Sequence, residues 1–250
     1  MFDLTGRVAL VTGAGQNVGA GIARLLGAQG AKVAVNDRVE ARAKTTAEEI
    51  AGAGGVALAT VFDVTDAAGV ADAVARIESE FGPVDVLVNN AGVPPNMTDD
   101  IKPFRQLDPE QWAKYVDLNL YGVMRCSKAV LDGMLDRGFG RIVTISSAAG
   151  QMGIALGLTA YGAGKAGAIG FSRHLALEVA GTGVTVNTVS LGMMDNAGDA
   201  AVVAHLAKSV PAGRCGTPED AGAAVVYLAS DEASWVTGQI LGVNGGSYIP

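Results

Sequence analysis

The chain has 250 residues, of which 49% are hydrophobic and 17% are charged, and its formal net charge is −7. This length and composition allow one large α/β domain with a substantial core and exclude a globally disordered chain. An acidic chain without a Lys/Arg cluster is poorly suited to bind nucleic acid or an anionic membrane surface, so we expect neither as a partner.

No feature of the sequence predicts a membrane span, a signal peptide or a disulfide framework. No apolar run approaches the ~18 residues that a span requires. The first apolar strand runs straight into a glycine motif and follows no basic segment, so we expect no signal peptide. The two cysteines, Cys126 and Cys215, lack CxxC spacing. These observations favour a reduced, cytoplasmic protein.

Short β-branched runs alternate with longer amphipathic stretches, and several runs are continuously apolar, as in strands buried on both faces. The predicted strands cover residues 7–12, 32–36, 56–62, 84–88, 141–146, 184–189 and 240–243. The predicted helices cover residues 17–29, 40–53, 67–81, 109–137, 159–181 and 218–230. The alternation predicts a single α/β domain over residues 1–250, with a Rossmann-like, doubly wound parallel sheet of about seven strands and helices on both faces.

The glycine-rich sequence TGAGQNVG at residues 12–19 lies between the first strand and the first helix. Such a turn lets backbone N–H groups and a helix N-terminus face a pyrophosphate, although tight packing alone can also produce it. The residues expected to contact a dinucleotide here are Gly13, Gln16, Asn17, Val18 and Gly19.

The residue at the end of the second strand bears on the choice of nucleotide. Asp37 can accept hydrogen bonds from the adenosine ribose hydroxyls and would repel a 2′-phosphate, which favours NAD over NADP. Arg38 follows directly and could accommodate that phosphate, so NADP stays open as an alternative.

Polar residues also follow the third and fourth strands at the same edge of the sheet. We expect Asp63 and Val64 to border the adenine, and Asn90 and Gly92 to border the adenosine side of the pocket. Asn89 is expected instead to tie strands together.

A second constellation has the residue types that hydride chemistry at an alcohol or carbonyl needs. Tyr161 and Lys165 are spaced to share one face of a helix, and Ser147 ends the fifth strand. Asn119 falls on the apolar stripe of the predicted helix 109–137, where a buried amide needs partners; an ordinary core asparagine is the alternative. A neighbouring ammonium would favour the tyrosinate, because a free tyrosine with a pKa of roughly 10 is a poor base.

With these motifs the chain resembles the short-chain dehydrogenase/reductase family over essentially its whole length. The matching features are TGAGQNVG (12–19), Asp63, NNAG (89–92), Asn119, Ser147, YGAGK (161–165), Asn187 and VTGQILGVNGG (236–246). The resemblance implies that Tyr161 is the general acid/base and that Ser147 orients the carbonyl. It further implies that Lys165 binds the nicotinamide ribose and lowers the tyrosine pKa, and that Asn119 supports a proton relay. The resemblance also implies that the protein forms a homotetramer or a dimer. It implies no metal in catalysis.

The sequence departs from the family pattern in two places. Asn17 stands where the family has a glycine, and asparagine tolerates positive φ. Leu191-Gly192 stands where Pro-Gly is usual, and Asn196 replaces a threonine expected to contact the nicotinamide carboxamide. We expect Gly192 and Asn196 to contact the cofactor and residues 191–210 to cover the substrate.

The expected substrate walls carry apolar side chains and no basic cluster. The named candidates are Met152, Leu156, Met193 and Met194, with core filling or subunit contacts as the alternative. The main hypothesis is therefore an NAD(H)-dependent oxidoreductase of an apolar secondary alcohol or ketone. The alternatives are an NADPH-dependent 3-oxoacyl-thioester reductase, acting on acyl carrier protein or CoA thioesters, and a non-catalytic nucleotide-binding scaffold.

Overall fold

The computed structural model describes residues 1–92, 101–195 and 200–249. Its centre is a seven-stranded sheet of order β3-β2-β1-β4-β5-β6-β7, and every neighbouring pair of strands is parallel. The strands are β1 (Val8–Val11), β2 (Lys32–Asn36), β3 (Val56–Thr60), β4 (Val86–Asn89), β5 (Gly140–Ser147), β6 (Val184–Leu191) and β7 (Ile240–Val243). The predicted fold class is confirmed.

Helices cover both faces of this sheet. They are α1 (Asn17–Ala28), α2 (Glu40–Gly52), α3 (Ala67–Phe81), α4 (Pro109–Val116), α5 (Gly122–Arg137), α6 (Thr159–Glu178), α7 (Ala200–Ala207) and α8 (Pro218–Ala229). One core packs α1, α2 and α8 against the sheet, and the other packs α3, α5 and α6 against the opposite face. Alternate residues of β1 enter the two cores, Val11 the first and Leu10 the second, which explains its continuous apolar sequence.

The prediction of one continuous helix over residues 109–137 is wrong. Between α4 and α5 the chain forms a π-helical turn, Asp117–Tyr121, with wider backbone hydrogen bonding. The Asn119 side chain donates to the Tyr115 carbonyl at 2.9 Å, and this carbonyl is the one that the Asn119 backbone N–H would reach in a regular α-helix. The turn therefore places a buried amide at the point where the helix departs from regular geometry.

The parallel strands bring their carboxyl ends to one edge of the sheet. Strand order reverses between β1 and β4, and ligands of open α/β sheets bind in the crevice outside this point. The ends of β1, β4, β5 and β6 meet there, and they carry the glycine turn, the NNAG sequence, Ser147 and Leu191. Among the described helices, none is both long and apolar enough to cross a bilayer.

Candidate active site

The glycine turn after β1 is held against the end of β2. The Ala14 N–H donates to the Asn36 backbone carbonyl at 2.6 Å, and the Gly13 N–H donates to Asn36 Oδ1 at 3.3 Å. A Cβ atom on Gly15 would lie 2.7 Å from Asp37 Oδ2. The backbone of this turn therefore packs closely on β2, in the way that a phosphate-binding loop requires.

The first turn of α1 offers free backbone donors beside this loop. Gln16, at the N-cap, is extended with φ −161° and makes no side-chain capping bond, and the first turn contains no acidic residue. The N–H groups at a helix N-terminus lack intrahelical partners and favour an anion. The glycine turn and the uncapped helix together fit the pyrophosphate of a dinucleotide.

Asn17 takes the left-handed backbone conformation, with φ 49°, as expected for a residue that replaces glycine. We predict that Asn17→Gly leaves stability unchanged or slightly higher, because glycine adopts this region without a Cβ penalty. Asn17→Val should lower the free energy of unfolding by about 1–2 kcal/mol, because a β-branched residue is strained there. Denaturant unfolding of the two variants measures the difference, and equal stability of both would contradict the strain argument.

Asp37 is fixed at the end of β2 by two backbone amides. Its Oδ2 accepts from the Gly15 N–H at 3.2 Å and its Oδ1 from the Val39 N–H at 2.9 Å. The residue is 6% exposed, whereas Arg38 beside it is exposed. A carboxylate has about four acceptor positions, so lone pairs remain for the hydroxyls of a ribose.

The NNAG sequence braces the glycine turn. Asn90 Nδ2 donates to the Thr12 and Gly13 carbonyls, both at 2.9 Å, and the Thr12 hydroxyl accepts from the Asn90 and Ala91 N–H groups. Both amide hydrogens of Asn90 are thereby used within the protein. Asn89 was expected to tie strands together, but its Nδ2 donates to Ser127 Oγ of α5 at 3.2 Å and so ties β4 to a helix.

Asp63 and Val64 lie just beyond β3. Asp63 is exposed, and its Oδ1 accepts from the Thr65 N–H at 2.9 Å and the Thr65 hydroxyl at 2.7 Å. Val64 is buried, and a Cβ on Gly122 would lie 2.9 Å from its Cγ2, so it locks the start of α5 against this loop. The Asp63 carboxylate is thus oriented by Thr65 at the edge of the sheet.

Ser147, Tyr161 and Lys165 are brought together at the end of β5. The Tyr161 phenol lies close enough to Ser147 for the Ser147 hydroxyl to act on its pKa, and Ser147 Oγ accepts from the Ala149 N–H at 3.2 Å. Lys165 Nζ lies 5.8 Å from the centroid of the Tyr161 ring and donates to the Ile145 carbonyl at 2.8 Å. Gly162 permits this close docking of α6, because a Cβ there would lie 2.8 Å from the Ala149 carbonyl oxygen.

Burial sets the ionisation of the two titratable groups in opposite directions. It raises the pKa of Tyr161, and the hydrogen bond from Ser147 opposes that rise. It lowers the pKa of Lys165 from 10.5 to about 8, because a buried ammonium loses its hydration. At neutral pH the lysine is mostly an ammonium and the tyrosine a neutral phenol, which is the state that can give a proton to a carbonyl oxygen.

Asn119 is fully buried in the π-helical turn beside α6. Its Nδ2 bonds to Tyr115, whereas its Oδ1 has no hydrogen-bond partner in the described structure. A Cβ on Gly164 would lie 3.0 Å from Asn119 Cβ, so α6 approaches the turn closely here. Buried acceptors in proteins normally have a hydrogen-bond partner. The unpaired Oδ1 therefore points to a water or a ligand at this position.

The expected substrate wall divides into two parts. Met152, Leu156 and Met193 are exposed by 38%, 56% and 37%. Met194 instead packs against the core shared by α1 and α8, and its Sδ would lie 2.8 Å from a Cβ on Gly216. Met194 is half-buried, and its place in the substrate wall stays a prediction.

The end of β6 is regular at Leu191-Gly192, where the family usually has Pro-Gly. Leu191 is the last residue of β6, is 7% exposed and belongs to the core. Gly192 follows, and its N–H donates to the Val243 carbonyl at 3.0 Å. The ladder thus continues to the point where the covering segment begins. Asn196 lies outside the described residues.

Sequence reasoning missed two residues that shape this site. Asn36 holds the glycine turn and donates to the Phe62 carbonyl at 3.1 Å, and Thr12 links β1 to the NNAG sequence. Asn36 was detectable as a polar residue inside an apolar strand, since such residues need partners. Thr12 carried no such signal, because threonine is common in strands.

The chain is similar to known proteins over nearly its full length. A family model described as enoyl-(acyl carrier protein) reductase matches residues 13–248. A 3-oxoacyl-(acyl-carrier-protein) reductase of Salmonella typhimurium is 44% identical over 252 residues, which cover 99% of this chain and 100% of that protein. An acetoacetyl-CoA reductase of Rhizobium meliloti is 41% identical over 249 residues, which cover 97% and 99%.

Two solved structures also resemble this chain over nearly its full length. A gluconate 5-dehydrogenase from Burkholderia cenocepacia, in complex with NADP and tartrate, superposes with a TM-score of 0.89 at 33% identity and covers 98% of this chain and 96% of its own. A variant of the actinorhodin polyketide ketoreductase with NADPH gives a TM-score of 0.90 at 38% identity, with 96% and 97% covered.

Proposed function

The chain belongs to the short-chain dehydrogenase/reductase family, and we propose that it reduces the keto group of 3-oxoacyl thioesters carried on acyl carrier protein or CoA. It is an oxidoreductase of CH–OH or keto groups that uses a nicotinamide dinucleotide. The observation that carries the finer proposal is the full-length similarity to two thioester reductases. This similarity favours reduction of a thioester over the reaction of an apolar secondary alcohol or ketone, which the side chains alone suggested.

The residues of the site divide the chemistry between them. The nicotinamide, when bound, supplies the hydride that reduces the carbonyl carbon. Ser147 is placed to donate a hydrogen bond to the carbonyl oxygen, and Tyr161 to give that oxygen its proton. Lys165 holds a positive charge near the phenol, which stabilises the tyrosinate left behind. Asn119 offers an acceptor next to the lysine for a water that returns the proton.

We propose that the chain prefers NADH to NADPH, although the two similar structures contain NADP and NADPH. The support is the Asp37 carboxylate, held at the end of β2 by the Gly15 and Val39 amides. A 2′-phosphate on the ribose would meet this negative charge. Arg38 is exposed, and within the part of the chain that the structure describes it forms no ion pair that would aim it at that position.

Asp37→Asn should shift the nucleotide preference toward NADPH. The substitution removes the charge and keeps one acceptor oxygen, so the ratio of kcat/KM for NADH to that for NADPH should fall by about tenfold or more, which corresponds to about 1.4 kcal/mol. Initial rates with both nucleotides measure this ratio. Asp72→Asn, at an exposed carboxylate on α3, is the matched control and should leave it unchanged. Tighter binding of NADPH than NADH by the unsubstituted protein would mean that Arg38 dominates.

Reduction of acetoacetyl-CoA by the purified protein tests the proposed function. Rates with NADH and NADPH are compared with rates on simple cyclic ketones and with oxidation of gluconate. A kcat/KM for the thioester at least tenfold above that for the other compounds supports the proposal. A preference for ketones or gluconate would return the assignment to a general alcohol dehydrogenase, which the gluconate 5-dehydrogenase neighbour favours.

We further propose that the protein is cytoplasmic and assembles into a homotetramer, or a dimer. Near the carboxyl terminus several apolar side chains face solvent in the isolated chain, with Trp235 97%, Ile249 83% and Leu241 38% exposed. Such side chains commonly mark subunit contacts. The molar mass in solution, measured by light scattering, distinguishes these assemblies from a monomer.

A further inference from the structure

Arg42 is the third residue of α2, and it packs against the glycine turn. A Cβ on Gly15 would lie 2.5 Å from Arg42 Cβ and 3.0 Å from the Arg42 carbonyl carbon. The φ of Gly15 lies outside the left-handed region, so the turn requires glycine here for space and not for backbone conformation. The close packing of α2 on the turn therefore places the base of the Arg42 side chain at the edge of the nucleotide site.

The base of this side chain also lies beside the carboxylate that is expected to hold the adenosine ribose. The Cβ position on Gly15 is 2.7 Å from Asp37 Oδ2, so this oxygen and Arg42 Cβ are close neighbours. The Cα–Cβ bond of a helical residue tilts toward the helix N-terminus, and α2 begins shortly after Asp37 in the chain. The Arg42 side chain therefore leaves its helix on the side of the ribose position.

The guanidinium of Arg42 is available for a ligand. Arg42 is half-buried, and within the described ranges its side chain forms no ion pair and no hydrogen bond, with Asp37 or with any other residue. The neighbouring cations Arg24 and Lys44 are instead paired with glutamates, at 2.9 and 2.7 Å. A guanidinium presents five N–H donors in a planar fork that matches the oxygen atoms of a phosphate.

We propose that Arg42 determines nucleotide specificity: its guanidinium binds the 2′-phosphate of NADPH, which the Asp37 carboxylate disfavours. This inference rests on the proposed function in placing the adenosine ribose at Asp37. The two side chains act on one phosphate in opposite directions, because Asp37 repels its charge and Arg42 forms charge-assisted hydrogen bonds with it. NADH carries only a hydroxyl at that position and gains little from the guanidinium. The preference for NADH is therefore moderate, and the chain also binds NADPH.

Fluorescence titrations of the purified protein with NADH and with NADPH test this role. Arg42→Met should raise the dissociation constant for NADPH by about tenfold or more, because charge-assisted hydrogen bonds to the phosphate are lost. The constant for NADH should stay within about twofold, which also shows that the variant is folded. Lys44→Met removes the same charge from an exposed side chain of α2 and is the matched control. It should change neither constant by more than about twofold.

Competition by two fragments locates the contact on the nucleotide. Adenosine 2′-monophosphate and adenosine 5′-monophosphate are each titrated against bound NADH. Arg42→Met should weaken the 2′-monophosphate by about tenfold and leave the 5′-monophosphate unchanged. An equal loss of both, or of NADH and NADPH, would place the guanidinium on the adenine or the turn and overturn the proposal. It is also overturned if Arg38→Met, and not Arg42→Met, weakens NADPH.

These titrations contain no substrate, so they are independent of the proposed thioester reduction. A wild type that does not reduce acetoacetyl-CoA contradicts the proposed function and leaves the role of Arg42 to be decided by the dissociation constants. A wild type that binds NADPH more tightly than NADH contradicts the proposed preference for NADH. In that case the comparison of Arg38→Met with Arg42→Met still decides which arginine holds the phosphate.

Discussion

Replacing Tyr161 with phenylalanine should lower kcat for acetoacetyl-CoA reduction by about 10²–10⁴-fold while the dissociation constant for the nucleotide changes by less than about threefold. The substitution removes one oxygen atom and keeps the ring that α6 presents beside Ser147. Without the phenol, the proton for the carbonyl oxygen must come from water. Steady-state rates and fluorescence titrations of the two proteins measure the two quantities separately.

Tyr121→Phe is the matched control for this experiment. Tyr121 also lies in a helical segment of the described chain, but its ring is 50% exposed in the π-helical turn, near Arg125. Its loss of a hydroxyl should leave kcat within about twofold. Retained turnover in Tyr161→Phe would place the acid/base elsewhere. A parallel loss of nucleotide affinity would instead indicate that the substitution disturbs the fold of the site.

The same experiment separates an enzyme from a nucleotide-binding scaffold. A scaffold requires the glycine turn, the α1 N-terminus and Asp37, but it has no chemical need for a serine beside Tyr161 or for a buried lysine. Burying an ammonium is unfavourable, and Lys165 is 4% exposed. Its retention in the core is better explained by chemistry at Tyr161 than by binding alone.

Much of the fold follows from local patterns in the sequence. The bounds of β2 and β7 match the prediction, as do those of α3, because apolar runs and helical periodicity both end at clear polar or turn residues there. The π-helical turn was not predictable in this way. Nothing in the sequence at Asp117–Tyr121 marks the wider turn, because it contains no proline or glycine and is flanked by helical patterns on both sides.

The candidate site was predictable at the level of which residues meet, and less so at the level of what each one contacts. Tyr161 and Lys165 are helical neighbours, so their shared face follows from spacing alone. The bracing of the glycine turn by Asn90 joins residues 77 and 78 positions apart. The close approach of Lys165 Nζ to the backbone of Gly92 joins residues 73 positions apart. Such contacts arise from packing of distant elements, which no local pattern specifies.

Replacing Lys165 with methionine should produce a less active but more stable protein at neutral pH. The loss of the charge beside Tyr161 should lower kcat by at least about 10²-fold. Burial lowers the pKa of Lys165 from 10.5 to about 8, so the folded chain bears the unfavourable free energy of a buried ammonium, about 3 kcal/mol, at every pH well below 8. Methionine has similar length and no charge, but it leaves the Ile145 carbonyl without its donor, which costs about 1–2 kcal/mol.

The pH dependence of this difference is fixed in sign. Between about pH 8 and 10.5 the unfolded chain holds a proton on Lys165 that the folded chain has lost, so wild-type stability rises with pH across that window. At pH 7 the nucleotide-free Lys165→Met protein should therefore be more stable by about 1–2 kcal/mol, a rise in Tm of a few degrees. This advantage should shrink as the pH rises toward 10.5, and above that pH the lysine is neutral in both the folded and the unfolded chain, so only the lost hydrogen bond remains.

Thermal unfolding of both proteins at pH 7 and at pH 10 measures that change. Lys128→Met, at a side chain that is 73% exposed on α5, is the matched control and should show no pH-dependent gain. A Lys165→Met protein that is less stable at pH 7, by an amount that does not vary with pH, would mean that the ammonium is favourably solvated in the folded chain. In that case the ammonium would be hydrated in the folded chain. Its hydrogen bond to the Ile145 carbonyl would then not be what holds it beside the Tyr161 phenol.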